Sequence, residues 1–243
     1  MKRRERATAA VVGLLAAGYN VAVNRVLPPR THVPANLAFA ATVCGIGRAA
    51  TRLSWSELGL GRAEAGRGFR VGTKSSLVSA ALVAAAAAAP GTRRFFADER
   101  ILRSSRGAAV YEMCVRIPLA TALPEELVFR GVLLSVLSRS HTTATAIAWT
   151  STLFGLWHVL PTFDTMRTNP IKDVLPEGWL GYSAAAGAAI PSTAATGALF
   201  ALLRNRSGSV VAPVLTHTAI NATAYIGGRL SRRHRPGQSI RGE

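Results

Sequence analysis

Apolar residues run in long blocks, broken by short polar stretches that carry Pro or Gly. The blocks are Ala7 to Leu27, Val33 to Ala50, Ser75 to Ala89, Ala108 to Leu137, Thr142 to Leu160, Leu180 to Leu203 and Val210 to Ile226. Several approach the roughly 20 residues a helix needs to cross the hydrocarbon core of a bilayer. Pro28-Pro29 closes the first block and Pro90-Gly91 the third. The pattern predicts an all-α fold, a polytopic transmembrane helical bundle of about seven to eight helices, with no internal repeat. The count turns on Pro124. Seven crossings result if Ala108 to Leu137 is one kinked helix, eight if Pro124 separates two short ones. Between the blocks, Thr51 to Lys74 reads as a basic, Gly-rich loop whose Trp55 sits at the membrane interface. Thr92 to Gly107 reads as charged and solvated. Pro161 to Gly178 is the longest polar stretch of the second half.

Composition supports the membrane reading and changes how the charge is read. Of 243 residues 49% are hydrophobic and 17% charged, yet the formal net charge is +17. In a soluble protein that charge points to nucleic acid. Here the basic residues fall mostly between and outside the apolar blocks, as cytoplasmic loops require, and no nucleic-acid motif accompanies them. The expected partner is therefore a lipid bilayer with anionic headgroups, met by clusters such as Lys2-Arg3-Arg4 and Arg232-Arg233, and not nucleic acid. The N-terminal basic run places the N-terminus in the cytoplasm of a protein integral to the cell (plasma) membrane. Ala7 to Leu27 lacks a small-residue cleavage end and reads as an uncleaved first helix. Cys44 and Cys114 read as small buried hydrophobes, with no disulfide framework.

The chemistry is concentrated in Glu125-Glu126-Leu127-Val128-Phe129-Arg130, a doubled carboxylate and an arginine inside apolar sequence. Such groups cost several kcal/mol unless paired or used. Phe154-Gly155-Leu156-Trp157-His158 and His217-Thr218-Ala219-Ile220-Asn221 place further polar groups in two later blocks. Glu126 and Arg130 are four apart and can pair on a helix, and Glu112 with Arg116 likewise. Glu125 is turned about 100° away from Glu126 and is left to face a cavity. If Pro124 opens a helix, both carboxylates also sit at its positive end. His217 and Asn221 share one helical face. Polar groups on three spans need each other for satisfaction, so they are expected to converge inside the bundle. A buried ion-pair network that only holds helices together, or a proton relay in a transporter, uses the same residues. No nucleophilic Ser or Cys and no HExxH motif accompanies them. Two hydrolytic chemistries remain. In one, Glu125 takes a proton from water held by His158, while His217 and Asn221 donate to the oxyanion. In the other, Glu125, His158 and His217 hold zinc or another divalent metal with an open position.

These residues resemble the CPBP (CAAX protease and bacteriocin-processing, Abi) membrane proteins, the type II CaaX prenyl endopeptidase-like family. Its EExxxR motif is similar to Glu125 through Arg130, its FxxxH to Phe154 through His158, and its HxxxN to His217 through Asn221. Trp55-Ser56-Glu57-Leu58-Gly59-Leu60 is similar to a segment of bacterial members. The resemblance implies an intramembrane endopeptidase acting on a membrane protein or a lipidated (prenylated) or leader-bearing peptide. It carries over Glu125 and His158 as water activators, His217 and Asn221 as the oxyanion donors, and Glu126 and Arg130 as their support. The family is commonly labelled a metalloprotease, and a metal-independent glutamate mechanism is also argued for it. The implied organisation is one membrane domain: N-terminal helices and basic loops over 1–106, a catalytic helical core over 107–228, and a basic cytoplasmic tail over 229–243. The alternative is a non-catalytic membrane scaffold or bacteriocin-immunity protein.

Overall fold

The computed structural model describes residues 2–231, so the basic tail from Arg232 on, with Arg232-Arg233, lies outside the described residues. Among the described residues the regular elements are all helical. They are α1 (Lys2–Arg25), α2 (His32–Thr51), α3 (Arg62–Ala88), α4 (Glu99–Arg103), α5 (106–138), α6 (Thr143–Trp157), α7 (Val159–Met166), α8 (Gly178–Ser207) and α9 (Val211–Ser231), with short 3₁₀ turns between some of them. The all-α bundle is as the apolar blocks predict. By length and composition, α1, α2, α3 and α8 are each able to cross a membrane.

The seven long helices alternate in direction, and side-chain bonds at the two ends of the bundle show it. At the first end, Arg139 after α5 donates to the carbonyl of Thr51 closing α2 (2.5 Å). There too Arg67 at the start of α3 donates to the carbonyl of Ser207 at the end of α8 (2.7 Å). At the opposite end, Arg25 closing α1 pairs with Asp164 on α7 (2.9 Å). Ser104 before α5 meets the Tyr225 hydroxyl late in α9 (2.8 Å). The start of α1 and the end of α9 therefore lie at opposite ends of the bundle.

The structure decides one open alternative and corrects one expectation. Pro124 separates no crossings: α5 runs unbroken through Pro118 and Pro124, with turns widened to i→i+5 over Glu112–Ala122 and Leu127–Leu133. A proline removes one N–H and crowds the carbonyl a turn back, and the wider turns accommodate both where a break was the alternative. Consequently neither Glu125 nor Glu126 stands at a helix N-terminus. The Glu112–Arg116 pair forms on the first wide segment at 2.6 Å. The correction is that α3 begins at Arg62, so most of the expected loop Thr51 to Lys74 is helix. Its glycines serve contact and not flexibility. A Cβ on Gly68 would lie 2.7 Å from Ser209 Cβ, and one on Gly72 3.0 Å from Ala212 Cα. α3 packs along α9 at a distance that only such small residues allow.

The remaining loop, 52–61, locks the first end of the bundle. Leu58 is fully buried. The Glu57 carbonyl accepts from Ser135 Oγ (2.6 Å) on α5 and from Arg204 Nη2 (2.7 Å) on α8. The Gly59 carbonyl accepts from the Val210 amide (3.0 Å) leading into α9. Gly59 holds φ +78°, and a Cβ there would lie 2.9 Å from the Val210 nitrogen. Gly59→Ala is expected to cost about 1–3 kcal/mol through the left-handed backbone alone. A thermal melt in detergent with an unshifted midpoint would contradict this.

Two exposed-end carboxylates make the fold acid-sensitive. Burial pushes the Glu57 carboxyl up, but the Ser54 amide and hydroxyl and the paired Arg139 guanidinium together hold it below the usual range. Asp98, the N-cap of α4, behaves alike: burial raises it, and the Arg100 pair with the Thr168 hydroxyl outweighs this. A carboxyl lowered in the folded state contributes stability above its unfolded pKa and loses it as pH falls through the folded value. Thermal midpoints are therefore expected to drop as pH falls below about 4, and to drop less steeply in Asp98→Asn. Identical pH profiles for both proteins would count against this.

Candidate active site

The bundle interior is built on Phe129, Val132 and Leu133 of α5, Phe154 of α6 and Phe200 of α8. Into this apolar packing the sequence sets a fully buried ion pair: Arg130 Nη1 donates to Glu126 Oε1 at 3.0 Å, both side chains at 0% exposure. The pair survives because it is caged and further bonded. The guanidinium carbon lies 4.1 Å from the Phe154 ring centre and 5.2 Å from that of Phe200. Arg130 Nη2 donates to the Gly197 carbonyl on α8 at 2.9 Å. A Cβ on Gly197 would stand 3.0 Å from that same nitrogen, so the glycine makes room for the arginine.

His217 on α9 completes the neutralisation of Glu126. Its Nδ1–H donates to Glu126 Oε1 at 3.0 Å, and its ring stacks on Phe200 with centroids 5.0 Å apart. Nδ1 being spent on Glu126, Nε2 points to the other carboxylate, 4.0 Å from Glu125 Oε2. That separation is too long for a direct hydrogen bond and suits a group between the two.

Glu125 has a different environment from its neighbour. The Trp157 indole N–H donates to its Oε1 at 3.1 Å. Its Oε2 is buried and has no hydrogen-bond partner among the described residues. The carboxylate lines a cavity of about 10 Å³ together with Tyr19, Asn36, Phe39, Phe129 and Trp157. That volume is enough for one water molecule. The α1–α2 hairpin covers the cavity: the Tyr19 hydroxyl donates to Asn36 Oδ1 (2.6 Å), Asn36 Nδ2 to the Ala120 carbonyl on α5 (2.5 Å), and Asn20 Nδ2 to the Trp157 carbonyl (2.8 Å).

His158 caps the C-terminus of α6, and its Nδ1–H donates to the Phe154 carbonyl at 2.7 Å, which leaves Nε2 unprotonated in the neutral ring. The Phe154 ring meets His158 edge-on at 4.4 Å and His217 at 6.0 Å, so the three sequence motifs adjoin one another. Asn221 lies one turn beyond His217 on α9, partly buried, and its amide makes no hydrogen bond among the described residues.

Glu125, His158 and His217 are the candidates for the metal chemistry that the sequence left open. Each histidine keeps Nε2 free, its Nδ1 being held by the Phe154 carbonyl or by Glu126, as suits either a metal ligand or a water contact. As placed, no group of three or more His, Cys, Asp or Glu side chains among the described residues converges to hold an ion. Several participants carry no obvious mark in the sequence. Trp157 had one available signal, since an indole N–H inside an apolar helix needs an acceptor and the residue directly precedes His158. Gly197, Phe200, Asn20 and Asn36 had none.

Neither a curated protein nor a solved structure matches the chain. One family model does, over residues 108–223, just under half of the chain, from the start of α5 into α9. The matched stretch includes all three motifs. The family supports peptidase activity of the CAAX-type intramembrane kind, and together with the apolar helices it indicates an integral membrane protein. Residues 108–223 are similar to the type II CAAX prenyl endopeptidase Rce1-like family.

Proposed function

We propose that the protein is an intramembrane endopeptidase in which Glu125 activates water against a peptide carbonyl of a membrane protein or lipidated peptide. The observation that carries this reading is the division between the two carboxylates. Glu126 is neutralised by Arg130 and His217, whereas Glu125 is hydrogen-bonded only by the Trp157 indole N–H and lines a water-sized space. Glu125 Oε2 takes a proton from water, with His158 Nε2 helping to hold that water. The hydroxide adds to the scissile carbonyl. His217 and Asn221 donate hydrogen bonds to the oxygen that becomes negative. For His217 to donate from Nε2 it must carry both protons. Collapse expels the amine, which receives the proton from Glu125, so water and one peptide bond give one carboxylic acid and one amine.

No step of this mechanism passes through a metal. Cleavage is expected to persist within about twofold in a strong chelator, a change too small to represent loss of a Lewis acid worth several kcal/mol. Abolition by chelator, restored by zinc, would replace the glutamate mechanism with the metal one. The more basic first end of the bundle, which holds Lys2, Arg3, Arg4, Arg48, Arg62, Arg67 and Arg206, is inferred to face the cytoplasm of the plasma membrane.

The reading is tested by reconstituting the protein in vesicles with prenylated and transmembrane peptides in ¹⁸O-water and sequencing the products by mass spectrometry. The expected product carries one solvent oxygen at a new carboxyl terminus. Failure to cut any peptide of either class, by a protein that is folded and inserted, would count against it.

A further inference from the structure

At the first end of the bundle, α2, α5 and loop 52–61 line an open groove of about 590 Å³ that is separate from the polar cluster around Glu125. Its walls are apolar or small: Ala41, Cys44, Gly45 and Ala49 on α2, Leu60 on the loop and Leu127 on α5. One charged side chain lines it. Arg48 stacks its guanidinium 3.9 Å over the Trp55 ring, its Nη1 is buried without a partner, and no hydrogen bond or ion pair to its side chain exists among the described residues. No carboxylate lines the groove.

A buried guanidinium nitrogen without an acceptor, such as Arg48 Nη1, is costly, and an anion removes that cost through charge-assisted hydrogen bonds. The stacking on Trp55 keeps the planar fork oriented and leaves its edge for the ligand. Trp55 is itself half exposed at the end of the bundle, where an indole marks the headgroup level of a bilayer. Below Arg48, towards the bundle centre, lie Gly45, Cys44 and Ala41, a surface that accepts an alkyl chain. We infer that this groove is a binding site for an anionic phospholipid, with the phosphate on Arg48 and one acyl chain laid along α2 against Leu127. Acyl chain and phosphate together match the site, and the apolar walls are what separates a lipid from a free phosphate. Leu127 stands two residues from Glu125 on the same helix, so the lipid buttresses the segment that carries the carboxylates.

The test is native mass spectrometry of the full chain, released from detergent after exposure to dioleoylphosphatidylglycerol or dioleoylphosphatidylcholine. The site predicts retention of the phosphatidylglycerol over the phosphatidylcholine. Arg48→Gln is expected to reduce that retention roughly tenfold, the loss that follows removal of one charge-assisted hydrogen bond. Gly45→Leu supplies a second variant that does not disturb the fold, because a Cβ at Gly45 meets nothing within 4 Å. It fills the chain groove while leaving Arg48 in place, and it too should lose the lipid. Equal retention of both lipids, or unchanged retention in both variants, would overturn the proposal. Displacement of the lipid by millimolar inorganic phosphate would reassign the site to a free anion, and displacement by a peptide with a free C-terminal carboxylate would reassign it to a peptide. Either result overturns the lipid assignment.

Discussion

Glu125→Gln is expected to abolish peptide hydrolysis and leave the fold standing. Glutamine keeps the shape of the side chain and an oxygen for the Trp157 indole N–H, which now reaches Glu125 Oε1 at 3.1 Å. What it loses is the basic oxygen that faces His217 Nε2 across 4.0 Å. Removing a general base lowers kcat/KM by about 10²–10⁴-fold. The fold should tolerate the change, since the Trp157 N–H keeps its acceptor and the new amide takes the place of an oxygen that already lacks a partner. Glu125→Ala differs: it strands the Trp157 N–H and adds roughly 1–3 kcal/mol of destabilisation to the same catalytic loss. A Glu125→Gln protein that cuts at wild-type rate would remove the carboxylate from the chemistry.

The second large effect falls on stability. Arg130→Met removes one partner of an ion pair whose members are both at 0% exposure. Glu126 is then buried with His217 alone, and breaking a buried pair in this way costs about 3–5 kcal/mol. Low yield and a much lower melting temperature are the expected results. The double variant Glu126→Gln with Arg130→Met is expected to recover a large part of the loss. It leaves no unpaired charge, and the glutamine oxygen still accepts from His217 Nδ1. A double-mutant cycle on melting midpoints measures this coupling directly. Additive losses in the double variant would show that the pair is not the source of the instability.

The parts of the site that depend on local spacing were legible in the chain, and the parts that depend on contact between helices were not. Glu126 and Arg130 are one turn apart, so their pairing follows from helical geometry, and it holds in the structure. Phe154 with His158 and His217 with Asn221 share faces for the same reason. The second hydrogen bond of Arg130 goes to the carbonyl of Gly197, 67 residues away, and a backbone acceptor has no signature in sequence. The lid of the site comes from Tyr19, Asn20 and Asn36, in a hairpin that precedes the family-matched stretch.

Pro124 left the helix count open, and the glycines of α3 misled, for a common reason. Both residue types are read as breaks, because in an isolated helix they cost stability. In α5 the chain absorbs its prolines by widening its turns. In α3, Gly68 and Gly72 are contact surfaces for α9 and not loop residues. Packing against a neighbouring helix overrode local propensity in each case, and packing is the quantity that a single sequence states least directly.

The most direct test of the central claim compares peptide termini from the membranes of cells producing the wild-type protein and cells producing Glu125→Gln at equal abundance. Termini that arise only with the wild-type protein, at bonds in or beside membrane segments or lipidated tails, are the predicted result, and they would name the substrate. Identical sets of termini, with the variant fulfilling the protein's role in the cell as well as the wild type, would contradict it and leave the buried carboxylates as a packing device of a membrane scaffold.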